Sequence, residues 1–493
     1  MRAGAFRVAA LTAAMACLQP AAAQSTVQEK GHTQEQTPVP ATGSPPAKNV
    51  ILFIGDGMGI STVTAARIYD GQSRGETGEE NLLSFERFPN LALVKTYNSN
   101  QQVPDSAGTA SAMNTGVKTR AGVIGIGPAA HRGDCSEARA NSLPTIAEIL
   151  HGEGKAIGIV STMRLTHATP AAVYAHSADR DWEGDADMPA TERAKGCRDI
   201  GAQLAAFPFD VALGGGSSRL LGIKRGGKRL DPGADLVRSW QTRTGGTVVT
   251  TRAELASVRS GRRPLLGLFA PDHMGYMLER RAESSEPTLS EMTAAAIDKL
   301  SASPTGYFLM IEGGNIDHGH HEGRADIALS ETQELSRAVA LALSKVDVSE
   351  TLVLVTADHS HVFTIAGYPT RGNPILGLAA GNDSRGEPSG SPILAADGKP
   401  YTTLGYQNGP GAVLASPRPA PTGGGGERQQ ALVPTADTFN NGAPLAETHG
   451  GEDVALYATG PGAGRVHGVI EQNRIFDIVA CAVAVSSPCA SLK

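Results

Sequence analysis

"YFLMIEGGNIDHGHH", residues 307–321, runs five apolar residues straight into Glu312, two glycines, Asp317 and three histidines. A continuous apolar run of this length marks a strand buried on both faces. Its abrupt end in acids and imidazoles places metal-type donors where the chain leaves a sheet. Four other stretches share the form: "VILFIGDGMG" (50–59), "KAIGIVST" (155–162), "FDVALGGG" (209–216) and "TLVLVTADHSH" (351–361). Between such runs, "PTLSEMTAAAIDKLSAS" (287–303) and "ALSETQELSRAVALALSKV" (328–346) carry helical spacing. Strands alternating with helices predict an α/β fold: a large, mostly parallel central sheet flanked by helices on both faces.

The character changes over residues 368–429, where "RGNPILGLAAGNDSRGEPSGSPILAADGKP" is rich in Gly, Pro and Ser with little periodicity. This stretch is expected to be a loop-rich inserted subdomain at an entrance or an oligomer contact. After it, "EDVALYATG" (452–460) returns to a strand. The catalytic domain is therefore expected over 47–367 plus 430–493.

With 493 residues there is ample length for a buried core. Net charge is −6 and the basic residues are scattered, so a nucleic-acid-binding surface is not expected. The opening "MRAGAFRVAALTAAMACLQPAAAQS" has early arginines, an apolar middle and a small-residue end. It reads as a signal peptide over 1–23, followed by a polar, proline-rich, disordered lead-in over 24–46. No other stretch is long and apolar enough to span a membrane. The C-terminal "SSPCASLK" lacks the hydrophobic tail of a lipid-anchor signal. An exported product follows, periplasmic in preference to fully secreted. Export leaves Cys135, Cys197, Cys481 and Cys489, an even count that predicts two disulfides. The close pair Cys481/Cys489 is the natural local one, although three connectivities are open.

In an open parallel sheet, ligands bind beyond the carboxyl ends of the strands. Asp56, Glu312, Asp317, His321, Asp358, His359 and His361 all stand at such ends, and His449 stands just before a strand. Singly, each has a plainer explanation: Asp56 in "GDGMG" suits a turn, and His449 suits an ordinary loop. Together they predict a metal site. Asp/His mixtures suit zinc, whereas Glu, Asp and hydroxyl oxygens suit magnesium, so more than one ion is expected. "VPDSAGTASAMNTG" (103–116) puts Asp105 and Ser106 at the head of a helix of small residues, where either could cap it. The same position suits a nucleophile beside backbone N–H groups that face a phosphate. No G-x-S-x-G elbow is present, which favours activation of Ser106 by metal. "THATPAAVYAHSADRDW" (166–182) adds His167, Thr169 and Arg180, the last a planar fork for two phosphate oxygens.

"GDGMG", "PDSAGTA", "HATPAAVYAH…R", "EGGNIDHGHH", "TADHSH" and "THGGEDV" resemble the alkaline phosphatases in identity and order, from Asn49 to about Val485. The likeness is greater to the animal-type branch than to the enterobacterial one. The resemblance implies a phosphomonoester hydrolase in which Ser106 forms a phosphoserine intermediate, later hydrolysed by zinc-bound hydroxide. It implies one zinc on Asp56, Asp358 and His359, and a second on Asp317, His321 and His449. Magnesium would sit on Asp56, Thr169 and Glu312, with His167 and His318 around it and Asp105 in support. Arg180 would clamp the phosphate. The resemblance also implies the pairs Cys135–Cys197 and Cys481–Cys489, a homodimer, and a crown-like character for residues 368–429. His320 and His361 receive no role.

Two departures are visible. Animal members bind calcium partly through a Glu in "LFEP"; here "LFAP" (268–271) carries Ala270, and the adjacent "GGGSSRLLGIKRGGKRLD" (214–231) is shortened. A methyl group cannot ligate a hard cation, so a calcium site is not expected. The lipid-anchor tail of many animal members is also missing. The rivals are a phosphodiesterase of the same superfamily and a binding protein that sequesters phosphate or metal; the latter would need no nucleophile.

Overall fold

The buried apolar runs pair with one another because only mutual pairing satisfies their backbone groups away from water. The computed structural model describes residues 45–259, 261–413, 415–435 and 446–485, with the backbone alone for 438–439 and 443–444. The chain divides into Met1–Pro38, outside the described residues, and Val39–Lys493, which carries everything below. The expected signal peptide, nearly all of the expected lead-in, and Cys489 lie outside the described residues.

Eight strands in chain order are β1 (Asn49–Gly55), β2 (Asn90–Lys95), β3 (Ala156–Arg164), β4 (Val211–Gly215), β5 (Thr247–Val249), β6 (Leu265–Leu268), β7 (Tyr307–Gly313) and β8 (Thr351–Ala357). With Val454–Thr459 and His467–Glu471 they form a ten-stranded sheet. From one edge the order is His467–Glu471, β2, Val454–Thr459, β8, β1, β7, β3, β4, β6, β5. Every pairing is parallel except the two made by Val454–Thr459. The expected strand "EDVALYATG" is therefore present, but reversed. Every residue of β3, β4, β7 and β8 is buried. Each fully buried Val, Leu or Ile there contributes about 1.5–3 kcal/mol relative to exposure.

Helices pack around this sheet. Leu289–Leu300 opens on a capping box between Thr288 and Glu291 and buries Leu289, Met292, Ala296, Ile297 and Leu300, the spacing of one helical face. Ala325–Lys345 packs along it. Among the described residues, no helix is long and apolar enough to cross a membrane.

Within 368–429 the chain forms short strands, Ala380–Asn382, Pro388–Pro392 and Leu404–Asn408. Leu404–Asn408 is the middle of a separate three-stranded sheet whose outer strands, Phe363–Ile365 and Gln430–Val433, fall just outside that interval. These strands escaped detection because they are brief, Gly- and Pro-bearing, and in the case of Pro388–Pro392 wholly exposed, so no apolar period marks them.

Candidate metal centre and nucleophile

Parallel register brings the donors together. Ile54 of β1 lies opposite Glu312 of β7 on one side and Thr356 of β8 on the other, and Ser161 of β3 lies opposite Glu312. Asp56 and Asp358 therefore leave adjacent strands at the same height, beside Glu312. After β7 the chain turns directly into helix Asn315–His321, which sets Asp317 and His321 one turn apart on one face. Gly57 has φ +69°, and a Cβ there would meet the His361 ring at 2.3 Å, so only glycine fits this close turn.

One side of the site is rich in carboxylate oxygen. Asp56, Glu312 and Asp358 are each fully buried. Ser106 Oγ lies 3.1 Å from His359 Nε2 and 3.5 Å from Asp56 Oδ1. Thr169 Oγ1 donates to Asp56 Oδ2 at 3.4 Å, and Ser161 donates to Glu312. Asp358 Oδ1 accepts from the Gly57 N–H at 3.0 Å, while its Oδ2 accepts from Thr109 at 3.3 Å and lies 3.3 Å from His359 Nε2. Burial, and then the charges of Asp358, Asp317 and Glu312, raise the Asp56 carboxyl well above its ordinary range. Burial also raises Asp358, against the hydrogen bond from Gly57. Glu312 is pushed up to about 7, chiefly by burial. Carboxylates crowded in this way without a cation resist ionisation, and a bound cation would reverse that.

The other side is rich in imidazole. Asp317 Oδ1 is approached by His361 Nε2 at 2.9 Å, His321 Nε2 at 3.3 Å and His449 Nε2 at 3.5 Å. Burial opposes ionisation of Asp317, yet the neighbouring His321, His361 and His449 imidazoles hold its carboxyl well below the usual range. For His361 burial is again outweighed, here by the Glu447 and Asp317 carboxylates, which raise it to about 10.

The residues fit metal ions on an independent observation. His321 Nδ1 faces the Glu447 carbonyl at 2.6 Å, His449 Nδ1 faces the Pro104 carbonyl at 2.7 Å, and His359 Nδ1 faces the Ser360 carbonyl at 3.2 Å. A proton held on each Nδ1 leaves each Nε2 lone pair directed into the site, the arrangement of metal-ligating histidines. Three donor groups have ligand atoms within 4.8 Å of one another: Asp317 with His321, His361 and His449; Asp56 with Asp317 and His359; and Asp56 with His167 and Glu312. Glu312 Oε1 and His167 Nδ1 are buried without a hydrogen-bond partner.

Ser106 opens helix Ser106–Thr115, all of whose residues are buried. Asp105 caps it, accepting from Gly108 N at 3.1 Å. The other Asp105 oxygen accepts from Arg180 at 3.2 Å, so this residue both caps the helix and aims the guanidinium. Arg180 also lies 3.1 Å from His167 Nε2. Burial, with Arg180 and Arg164 adding to it, keeps His167 well below its ordinary value. His318 is buried near it, with ring centroids 6.2 Å apart.

Every site residue singled out in the sequence lies in this region. So do His361, which stood at a strand end without a role, and two residues that the sequence did not single out. His361 and Glu447 form a buried pair behind Asp317, and His273 packs against His318 at 4.4 Å and contacts Arg164. His361 had a signal in its "DHSH" context, and Glu447 in an acid two residues before His449. His273 had none, since its strand end was read only for Ala270. Ala270 itself is buried, and its carbonyl accepts from Gly216 and Ser217. Cys135 and Cys197 are joined, as the resemblance implied. Cys481 is also disulfide-bonded.

Fold and donors together define a metal-dependent α/β enzyme with a serine at a buried helix start. Residues 47–485 match the model of the alkaline phosphatase family. The chain is 47% identical over 462 residues to the tissue-nonspecific alkaline phosphatase of Gallus gallus, covering 89% of this chain and 85% of that one. The solved alkaline phosphatase of Thermus thermophilus superposes with a TM-score of 0.66 at 25% identity, covering 92% of this chain and 95% of that one. A mutant alkaline phosphatase from the Antarctic bacterium TAB5, 25% identical with a TM-score of 0.60 over 89% of this chain and 98% of its own, holds Mg in its M3 site. The chain belongs to the alkaline phosphatase family, whose members hydrolyse phosphomonoesters with the help of metal ions.

Proposed function

We propose that Ser106 is the nucleophile of a phosphomonoesterase and that the site holds three ions of two kinds. Zinc belongs on Asp56, Asp358 and His359, a second zinc on Asp317, His321 and His449, and magnesium on Asp56, Thr169 and Glu312. His167 and His318 stand around the magnesium group. Bound there, those ions would supply positive charge to the reacting oxygens and make a hydroxyl or water easier to deprotonate. The single observation that carries this reading is Ser106 Oγ, buried at a helix start, 3.1 Å from His359 Nε2 and 3.5 Å from Asp56 Oδ1.

Ser106 Oγ attacks phosphorus in line, and the ester P–O bond breaks as the phosphoserine bond forms, releasing the alcohol. Water then cleaves the phosphoserine, returning Ser106 and inorganic phosphate. Arg180 binds two phosphate oxygens while Asp105 holds its guanidinium, and the N–H groups at the helix start add donors without needing to reorganise. A sulfatase or a sequestering protein would not use this serine.

We further propose an exported, periplasmic homodimer in which residues 368–429 form a crown-like insert. Calcium is not bound at Ala270, whose side chain has no donor atom. Ser106→Ala, compared with wild type on aryl phosphomonoester, diester and sulfate with zinc content measured, tests the mechanism. The expected result is a loss of monoesterase activity of about 10³-fold or more with zinc retained; full activity in the mutant would sink it.

A further inference from the structure

His320 is the one histidine of the "DHGHH" run that the chemistry above does not use, and it is fully buried. Its two nitrogens are both engaged. Nε2 lies 2.9 Å from the hydroxyl of Thr62, on helix Ile60–Gln72, which follows the Asp56 turn. Nδ1 lies 2.8 Å from the hydroxyl of Tyr406, on strand Leu404–Asn408. Either tautomer satisfies both bonds, since each hydroxyl can donate or accept. The His320 ring also stacks on His361 with centroids 4.7 Å apart and planes 29° apart. His361 in turn reaches Asp317 Oδ1 at 2.9 Å and pairs with Glu447.

Tyr406 belongs to the small three-stranded sheet and pairs across it with Phe363, two residues beyond His361. The two rings pack at 5.1 Å, and Phe363 packs against His320 at 4.9 Å. Three chain segments thus meet on one imidazole: the helix after β1, the helix that carries Asp317 and His321, and the small sheet. None of the three contacts reaches a reacting atom.

We propose that His320 and Tyr406 are positioning residues, a buried brace through which the small sheet sets the His361–Asp317 geometry and so the hold of the Asp317–His321–His449 group on its metal. The inference rests on the assignment of that group to one zinc. Residues that orient ligands from behind commonly change metal affinity by about 10–100-fold when altered. Here an orienting contact enters from a different sheet, through the Tyr406 hydroxyl and, beside it, the Phe363 ring.

The experiment is the rate at which zinc passes from purified holoenzyme to a chromogenic chelator, with kcat and KM measured on the same samples. Tyr406→Phe keeps the ring and removes only the hydroxyl. His320→Gln can keep the bond toward Thr62, and His320→Asn the bond toward Tyr406. Tyr401→Phe is the matched control: it removes a hydroxyl that donates to the Gly367 carbonyl at 3.3 Å in the same segment. Tyr406→Phe and His320→Gln are expected to release one zinc about tenfold faster, with kcat lowered and KM little changed. His320→Asn should fall between them and wild type, and Tyr401→Phe should match wild type. Zinc release and kcat in Tyr406→Phe equal to wild type would overturn the brace, as would an equal effect in Tyr401→Phe, which would indicate general loosening. A wild type that holds no zinc on Asp317, His321 and His449 would overturn the metal assignment, and the brace with it. If the His320 variants do not fold, the Tyr406→Phe and Tyr401→Phe pair decides alone.

Discussion

The two sides of the centre handle buried charge in opposite ways. Around Asp56, Asp358 and Glu312, burial raises all three, with repulsion from Asp358, Asp317 and Glu312 adding at Asp56, from Asp317 at Asp358 and from Asp358 at Glu312. Around Asp317, three imidazoles face one carboxylate, and its ionised form is favoured. The first side depends on cations from outside the chain to carry its charge, while the second carries its charge with its own residues. Metal loss should therefore weaken the first side far more than the second.

The largest test of that contrast is a pair of substitutions. Asp56→Asn should abolish activity by about 10³-fold, yet make the metal-free protein more stable by about 1–3 kcal/mol, because one crowded buried acid is gone. Asp317→Asn should also abolish activity, but destabilise the metal-free protein by a similar amount, because the charge-assisted hydrogen bond from His361 is weakened. Melting temperatures of chelated samples would show shifts of opposite sign; shifts of the same sign would break the comparison.

A smaller effect is expected in the pH dependence of stability. Glu312 is raised from its ordinary 4.5 to about 7. Between those values the unfolded chain has released a proton that the folded chain keeps, so metal-free stability should fall as pH rises from about 4.5 to 7. The loss from this one group is about 3 kcal/mol at most. Asp56 and Asp358 act in the same direction. Glu331, not one of the donors and also raised to about 7 by burial, contributes in both forms. The measurement is therefore the difference between chelated and metal-loaded melting curves, and a difference that does not change with pH would remove the acid-crowding account.

The smallest expected effect sharpens the imidazole side alone. Glu447→Gln weakens the partner that holds His361 charged against Asp317. Activity should fall about tenfold or less with KM nearly unchanged, and zinc should leave faster. An unchanged zinc-release rate would mean that His361 is held by packing rather than by Glu447.

Much of the candidate centre was legible in the sequence because several donors share one local setting, the end of an apolar run, and the resemblance supplied their roles. Asp56, Glu312 and Asp358 follow or end apolar runs, and Ser106 opens a run of small residues after a capping Asp. His361 had no role, and Glu447 and His273 were not singled out, because what they do depends on partners 44 to 109 residues away. The reversed direction of Val454–Thr459 was invisible for the same kind of reason: an apolar strand carries no mark of its orientation. The short strands around Tyr406 have neither length nor alternation to reveal them.

By itself, the sequence determined the class of fold and offered candidate donors at strand ends, because burial period, turn chemistry and ligand type are local properties of side chains; the roles of those donors and of Ser106 came from the resemblance. Only the tertiary structure decided which oxygen each imidazole faces, that Asp105 both caps the helix and holds Arg180, and that His320 is tied to Tyr406 rather than to a metal. Those outcomes depend on strand register and on which segments pack across the sheet, and hydrogen bonds of about 3 Å leave no trace in residue order when their partners are far apart along the chain.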